Sequence, residues 1–487
     1  MSWSPLVEPL AAIPDPFAAA ERFAGLPFLL LLDSTADHER TGRFSFLSAD
    51  PYAVIRSRGA TAQQLARGSR EWRPLPGDAL SAVRAALAAV ATDAVPGLPP
   101  FQAGAAGYIG YDWGATLERL PEARYDDLGI PDVMLGLYDW VVAWDHCERA
   151  AWIISTGGPV GGPRREQAAR ERLEAVRARL AGPAAGRAGR PTAARHRGPG
   201  APSYPVLGIE GAEEIGLRST FTHRGYLSAV ARVREYILAG DIFQANLSQR
   251  FQTPLAEPPL ALYERLRRVN PAAFGAYLDF GDLQVLSVSP ERFLRLSSRH
   301  VETRPIKGTR PRGLGPMHDA LLGRVLAESD KDRAENVMIV DLLRNDLSRV
   351  CRPGTVRVPE LFALEQHPTV HHLVSTVVGE LEPGRDAVEL LRATFPGGSI
   401  TGAPKLRAME IIAELEPTRR GVYCGSLGYL AATGEMDTSI AIRTAVVREG
   451  EVYFQAGGGI VADSDPEAEY RETLDKARGI IRALAVP

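Results

Sequence analysis

Short apolar or alternating runs, each cut off by aspartate, proline or glycine, constrain this chain most. Phe28–Ser34, Gly42–Pro51 and Tyr52–Ser57 follow one another within residues 26–60. Further runs lie at 101–112 and 132–155, and Gln284–Leu296 alternates on either side of Pro290. Each reads as a strand. Helical periods stand between them. Ala82, Ala85, Ala86, Leu87 and Val90 are near helical spacing within 78–92, and a second helix is predicted at 164–181. Thr222 caps a third, with Tyr226, Val230, Val233 and Ile237 on one face and Gly240 at its end. The first part is therefore α+β with much antiparallel sheet.

The chain has 487 residues, 45% of them hydrophobic, enough for two or three ordinary domains or one unusually large one. A net charge of -3 argues against a nucleic-acid-binding body and a polybasic membrane surface. Cys147, Cys351 and Cys424 lie far apart with no CxxC pair, which excludes a disulfide framework and a cysteine-built zinc site. The start lacks a basic n-region, and no run reaches about 18 apolar residues, so a cytoplasmic protein is the default expectation. Composition divides the chain into an N-terminal region, 1–156, a Gly/Pro/Ala/Arg-rich surface excursion, 157–207, and a better patterned region, 215–487. Within the excursion, Gly182–Gly200 reads as a flexible linker.

Thr303–Gly313 holds one lysine and three arginines between two prolines and two glycines. Proline fixes its own torsions and glycine permits those other residues avoid, which predicts a stiff, bent, cationic segment. Lys307 is placed there as an amine nucleophile or a charge clamp over an anion. A solvated basic loop is the competing reading of the same residues.

The last helix opens with Asp465 as cap and Pro466 at its first position. Tyr470, Leu474, Ala477, Ile481 and Leu484 form its apolar face, and Glu469, Glu472 and Lys476 share another. Two carboxylates one turn apart below a lysine suit a hard cation with an anionic ligand, and equally a surface Glu–Lys pair. Glu335 aligns with the apolar stripe Met338, Ile339 and Leu342, where a carboxylate must be paired, protonated, metal-bound or partly solvated. Glu335 and Glu472 together match the one or two protein carboxylates that Mg²⁺ uses. Phe395–Lys405 leads through glycines and hydroxyls into a helix whose first turn carries Pro404, with free N–H groups that favour an anion. Gly457, Gly458 and Gly459 let a ligand approach the backbone closely, Arg443 in an alternating run can clamp a carboxylate, and Tyr423 can donate a hydrogen bond. His372 by itself reads as structural. The residues alone point to an enzyme holding Mg²⁺ and a small polyanion, carboxylated or phosphorylated.

These motifs resemble the chorismate-utilising enzymes, densely over 215–487 and more loosely at Leu29–Ser34, Gly42–Pro51 and Gly107–Asp112. The resemblance implies one large α+β body of orthogonally packed antiparallel sheets flanked by helices. It implies Mg²⁺ between Glu335 and Glu472 with Glu469 assisting through water. It implies substrate carboxylates near Arg443, Tyr423, Lys476 and Gly457–Gly459, with Ser399 nearby. His372 is expected at the ring hydroxyl or leaving group, and Glu291 as the general acid for the C4 hydroxyl.

Two positions choose the branch. Pro305-Ile306-Lys307-Gly308-Thr309 resembles the aminodeoxychorismate-forming members, where anthranilate-forming ones usually have alanine for the lysine. The resemblance implies that Lys307 adds at C2, and that ammonia then enters at C4 and expels it. Gln244 stands where the isochorismate- and salicylate-forming members carry a lysine base, so ammonia rather than water is the expected nucleophile. Asn246-Leu247 resembles the same branch. No cysteine lies in a glutamine-amidotransferase nucleophile motif, so a separate glutamine amidotransferase subunit is the expected partner. The family's tryptophan pocket is matched in part: Leu32, Asp33 and Ser34 resemble its first strand, whereas Asn270, Pro271 and Phe274 lie in a segment that departs from it. Competing readings are an anthranilate-forming enzyme and a non-catalytic chorismate-binding regulatory subunit.

Overall fold

A computed structural model describes residues 3–36, 38–184, 200–206, 208–367 and 370–485. Most of the predicted linker Gly182–Gly200 lies outside the described residues.

Among the described residues, two antiparallel sheets of 13 and 12 strands carry the chain. The first runs from Leu6–Pro9 through Ala150–Ser155, Trp140–Asp145, Phe44–Ser48 and Leu30–Asp33. It continues into Phe274–Asp279, Leu283–Ser289, Thr444–Arg448, Glu451–Ile460 and Gln244–Pro254. The second runs from Ile306–Pro311 and Val370–Glu380 through His300–Thr303, Arg292–Ser297, Met436–Ile440 and Ser426–Ala431. It then reaches Gly104–Ile109, Val133–Tyr138 and Ala53–Arg58. Residues 1–156 thus extend both sheets rather than forming a separate layer. The α+β expectation holds.

The facing sides interdigitate through residues of both sheets, among them Leu30, Phe46, Val285, Tyr108, Met134, Leu427 and Tyr429. Burial of these apolar side chains is the main favourable term in folding. Helices Pro16–Phe23, Arg164–Ala181, Pro259–Val269 and Pro466–Ala485 cover the outer face of the first sheet. Helices Ala79–Ala89, Asp330–Ser348 and Ala387–Thr394 cover that of the second, and helix Lys405–Leu415 packs on strand Gln244–Pro254 of the first. Helix Arg164–Ala181 appears where periodicity placed it, but it buries Leu173, Val176 and Leu180, and Arg172 pairs with Asp50 at 3.0 Å and Asp139 at 3.3 Å. This part of the expected surface excursion therefore belongs to the core.

Pro290–Glu291 and Ala441–Arg443 are two of the corners at which the chain passes from one sheet to the other. The corners are tied together: Ile440 N–H donates to the Glu291 carbonyl at 3.0 Å, Val288 N–H to the Arg443 carbonyl at 3.1 Å, and the Ser289 hydroxyl to the Ile440 carbonyl at 2.6 Å. Among the described residues no helix is long and apolar enough to cross a membrane.

Candidate active site

Lys307 lies in strand Ile306–Pro311, paired to Val370–Glu380 with Ile306 opposite Val374 and Thr309 opposite His372. Lys307 and Gly308 together oppose the single residue Leu373, a β-bulge that re-aims the side chains around it. Gly308 has φ +84°, which glycine adopts without a Cβ penalty. A Cβ there would lie 2.8 Å from Leu326 and 3.0 Å from Asp332. Lys307 is half-buried, desolvation lowers its pKa, and its amine feels Glu335, Lys476, Glu291 and Glu472. One amine is thus gathered with three carboxylates and a second lysine.

The three arginines of the same segment do not face this site as free cations. Arg304 pairs with Glu365 and, at 3.6 Å, with Glu360 on strand Arg357–Gln366. Arg310 pairs with Asp332 at 2.9 Å and Arg312 with Asp319 at 2.7 Å. Each guanidinium fastens the Lys307 strand to a different neighbouring element, which leaves Lys307 as the segment's cation in the site.

Glu291 occupies the first of these two sheet-to-sheet corners and is 4% exposed. It accepts from the Ser399 hydroxyl at 2.6 Å and from the Ile306 N–H. Burial pushes its pKa up to about 7, against the pull of Ser399 and Lys307. A carboxyl poised near neutrality can donate a proton. Ile306 is adjacent to Lys307, so the acid and the amine are held together by main chain.

Arg443 forms the second corner. The alternating run led to a strand there. Instead Arg443 is a bend between Met436–Ile440 and Thr444–Arg448 with φ +51°. Its charge interacts with buried Tyr423, and among the described residues it pairs with no carboxylate. A half-buried, desolvated guanidinium without a protein carboxylate is suited to an anionic ligand. His372 bonds through Nδ1 to Thr309 Oγ1 at 2.9 Å, and burial, with repulsion from His367 and Arg443, lowers its pKa to about 3. It is neutral, and it also bonds to the Gly308 backbone.

The Gly457–Gly459 run lies between strand Gln244–Pro254 and helix Pro466–Ala485. A Cβ at Gly458 would lie 2.9 Å from Glu469 Oε2 and 3.2 Å from Glu472 Oε1, and one at Gly459 would collide with the Gln244 amide at 1.8 Å. Only glycine leaves room for these side chains. Lys476 Nζ donates to the Gly457 carbonyl at 2.9 Å and to Glu472 Oε1 at 2.6 Å. Burial raises the pKa values of Glu335 and Glu469, and Glu472 repels both. Burial also presses on Glu472, but Lys476 and Lys307 outweigh it and its pKa falls. Among the described residues no preformed group of three or more His, Cys, Asp or Glu gathers as metal ligands. Mutually repelling carboxylates nonetheless fit Mg²⁺, which completes its shell with water and ligand oxygens.

Helix Lys405–Leu415 starts one residue later than expected, with Pro404 as its cap. Lys405 is not free for an anion: it pairs with Asp346 at 2.6 Å and donates to the Thr394 carbonyl at 2.9 Å.

Leu32, Asp33 and Phe274 line a separate cavity of about 280 Å³ between the sheets. Asp33 is 2% exposed and held by Arg267 at 2.6 Å and the Tyr263 hydroxyl at 3.2 Å. The Ser34 hydroxyl donates to the Ala36 carbonyl, Asn270 packs against Gly479, and Pro271 is exposed; these three do not line the cavity.

Two features escaped the sequence reading. Lys331, one turn before Glu335, acts on Glu335, Glu469 and Glu472, and its i, i+4 spacing was the available signal. Arg420 and Glu416 form a buried pair at 2.7 Å beneath Tyr423, with Arg420 also donating to the Ile400 and Asn246 carbonyls.

The profile of the chorismate binding enzymes matches residues 28–482. An aminodeoxychorismate synthase component 1 from Salmonella typhimurium is 43% identical over 99% of this chain and 98% of its own. An anthranilate synthase component 1 from Cereibacter sphaeroides is 42% identical over 93% and 88%. Among solved structures, anthranilate synthase component I from Streptococcus pneumoniae superposes with a TM-score of 0.76 at 32% identity, covering 90% of this chain and 92% of its own. The chain, with its paired sheets and its lysine among carboxylates, belongs to the chorismate binding enzyme family.

Proposed function

We propose that the protein converts chorismate and ammonia into 4-amino-4-deoxychorismate. The observation that carries this reading is Lys307, set on a bulge among carboxylates and joined through Ile306 to the acid Glu291. The lysine nitrogen attacks C2, the C4 hydroxyl leaves as water with the proton of Glu291, and the amine sheds its own proton. Ammonia then adds at C4, the C2–N bond breaks, and Lys307 is released as the double bond returns. Without the adduct, C2 stays open to the incoming nitrogen and an ortho product follows.

Arg443, Tyr423, Lys476 and the Gly457–Gly459 backbone hold the substrate carboxylates, and neutral His372 meets the ring or leaving hydroxyl. Gln244 carries no base for water, which favours ammonia. Glu335 and Glu472, with Glu469, would hold Mg²⁺, which supplies a Lewis acid at the ring carboxylate. Ammonia comes from a separate glutamine amidotransferase subunit, in line with the "component 1" name of the relatives.

Anthranilate formation is the second reading, because relatives of nearly equal identity carry that name. Incubation with chorismate, an ammonium salt and Mg²⁺, followed by product separation, tests the proposal. Aminodeoxychorismate supports it, and anthranilate as the main product overturns it.

A further inference from the structure

The bulge that aims Lys307 and the helix that carries Glu335 meet at one residue used by no step above. Asp332 is in the first turn of helix Asp330–Ser348, and its N–H is capped by Ser329 Oγ at 3.3 Å. Its Cβ and Cγ lie 3.0 Å from the point where Gly308 would carry a Cβ, so the helix packs directly on the bulge. Its carboxylate accepts from Arg310 Nη2 at 2.9 Å, and Arg310 Nη1 donates to the Thr309 carbonyl at 2.9 Å. Thr309 in turn holds His372. Glu335 follows Asp332 by three residues, on the same side of the helix.

We propose that Asp332, through Arg310, is a positioning residue that fixes the Lys307 bulge against the turn bearing Glu335. A bulge with its Gly308 hinge has few ladder bonds to hold it. The remaining constraint comes from the Asp332 packing contact, the Arg310 fork and the Thr309 carbonyl it engages. Together they set the separation of the amine from the carboxylate and keep Thr309 under His372. Misplacement of a reacting group by about 1 Å costs roughly a hundredfold in rate, so a contact remote from substrate can govern turnover. The substrate carboxylates are gripped from elsewhere, by Arg443 and Lys476, and binding should be indifferent to Asp332.

This inference rests on Lys307 as the nucleophile. The test is a double-variant cycle with Asp332→Asn and Arg310→Gln, following chorismate consumption by the full-length protein with ammonium salt. Asp332→Asn keeps the packing atoms, and Arg310→Gln leaves the bulge contact untouched, so loss of folding does not confuse the two. Each variant should lose about tenfold in kcat with KM for chorismate within about twofold, and the double variant should lose no more than the worse single one. Parental kcat in both single variants, a rise in KM without a fall in kcat, or additive losses would overturn it. Lys307→Ala serves as reference. If that variant still makes the para-aminated product, the nucleophile reading fails. If it does not, and Asp332→Asn is fully active, only the positioning role fails.

Discussion

Ser399 Oγ donates a 2.6 Å hydrogen bond to Glu291 Oε1 at the corner where the chain leaves one sheet for the other. Burial raises the Glu291 pKa to about 7, and the Ser399 bond holds it below where burial alone would set it. Ile306 N–H, Lys307 and Lys476 act in the same direction as Ser399. A general acid must be protonated, so turnover should fall as pH rises through about 7. Ser399→Ala removes a bond that favours the carboxylate, and its alkaline limb should shift to higher pH. Glu291→Gln should lose roughly a hundredfold or more in kcat. A pH–rate profile of the three proteins checks these outcomes.

Arg443 carries a half-buried, desolvated guanidinium with no carboxylate partner among the described residues. Arg443→Gln should raise KM for chorismate about tenfold to a hundredfold, the loss of one charge-assisted contact. Arg443→Lys should not restore binding, because an ammonium lacks the planar fork. Steady-state kinetics across chorismate concentrations separates the two.

Glu472 repels both Glu335 and Glu469. Chelation should abolish turnover, and added Mg²⁺ should restore it. Glu335→Gln should raise the Mg²⁺ needed for half-maximal tryptophan-fluorescence change or activity by at least about tenfold. Titration in the presence and absence of chorismate reads this directly.

The Arg420–Glu416 pair is structural. Arg420 is 3% and Glu416 4% exposed, and Arg420 also bonds two main-chain carbonyls. Glu416→Ala strands a buried guanidinium and should cost about 3–5 kcal/mol of stability. Denaturant unfolding measures it.

Much of this site was legible because it is written in local spacing. The i, i+3, i+7 positions of Glu469, Glu472 and Lys476 set one helix face, and the structure gathers that face over Gly458. Glu335 followed from a carboxylate on an apolar stripe. The sheet-to-sheet corners were not legible, because alternation at Arg443 looks the same in a strand and in the bend that ends it. Nor were the partners of Arg304, Arg310 and Arg312, which lie up to 61 residues away, as for Arg304 and Glu365. A basic run in sequence therefore resembled an anion clamp, although carboxylates of the fold neutralise three of its four charges.

The central claim is a covalent bond between Lys307 and the substrate carbon. Rapid acid quenching with chorismate and Mg²⁺ but without ammonia, followed by peptide mass analysis, tests it most directly. The account predicts that the Lys307 peptide gains the mass of chorismate less one water, and that added ammonia discharges it to aminodeoxychorismate. An unmodified Lys307 peptide under turnover conditions, with Lys307→Ala still forming aminodeoxychorismate, would contradict it.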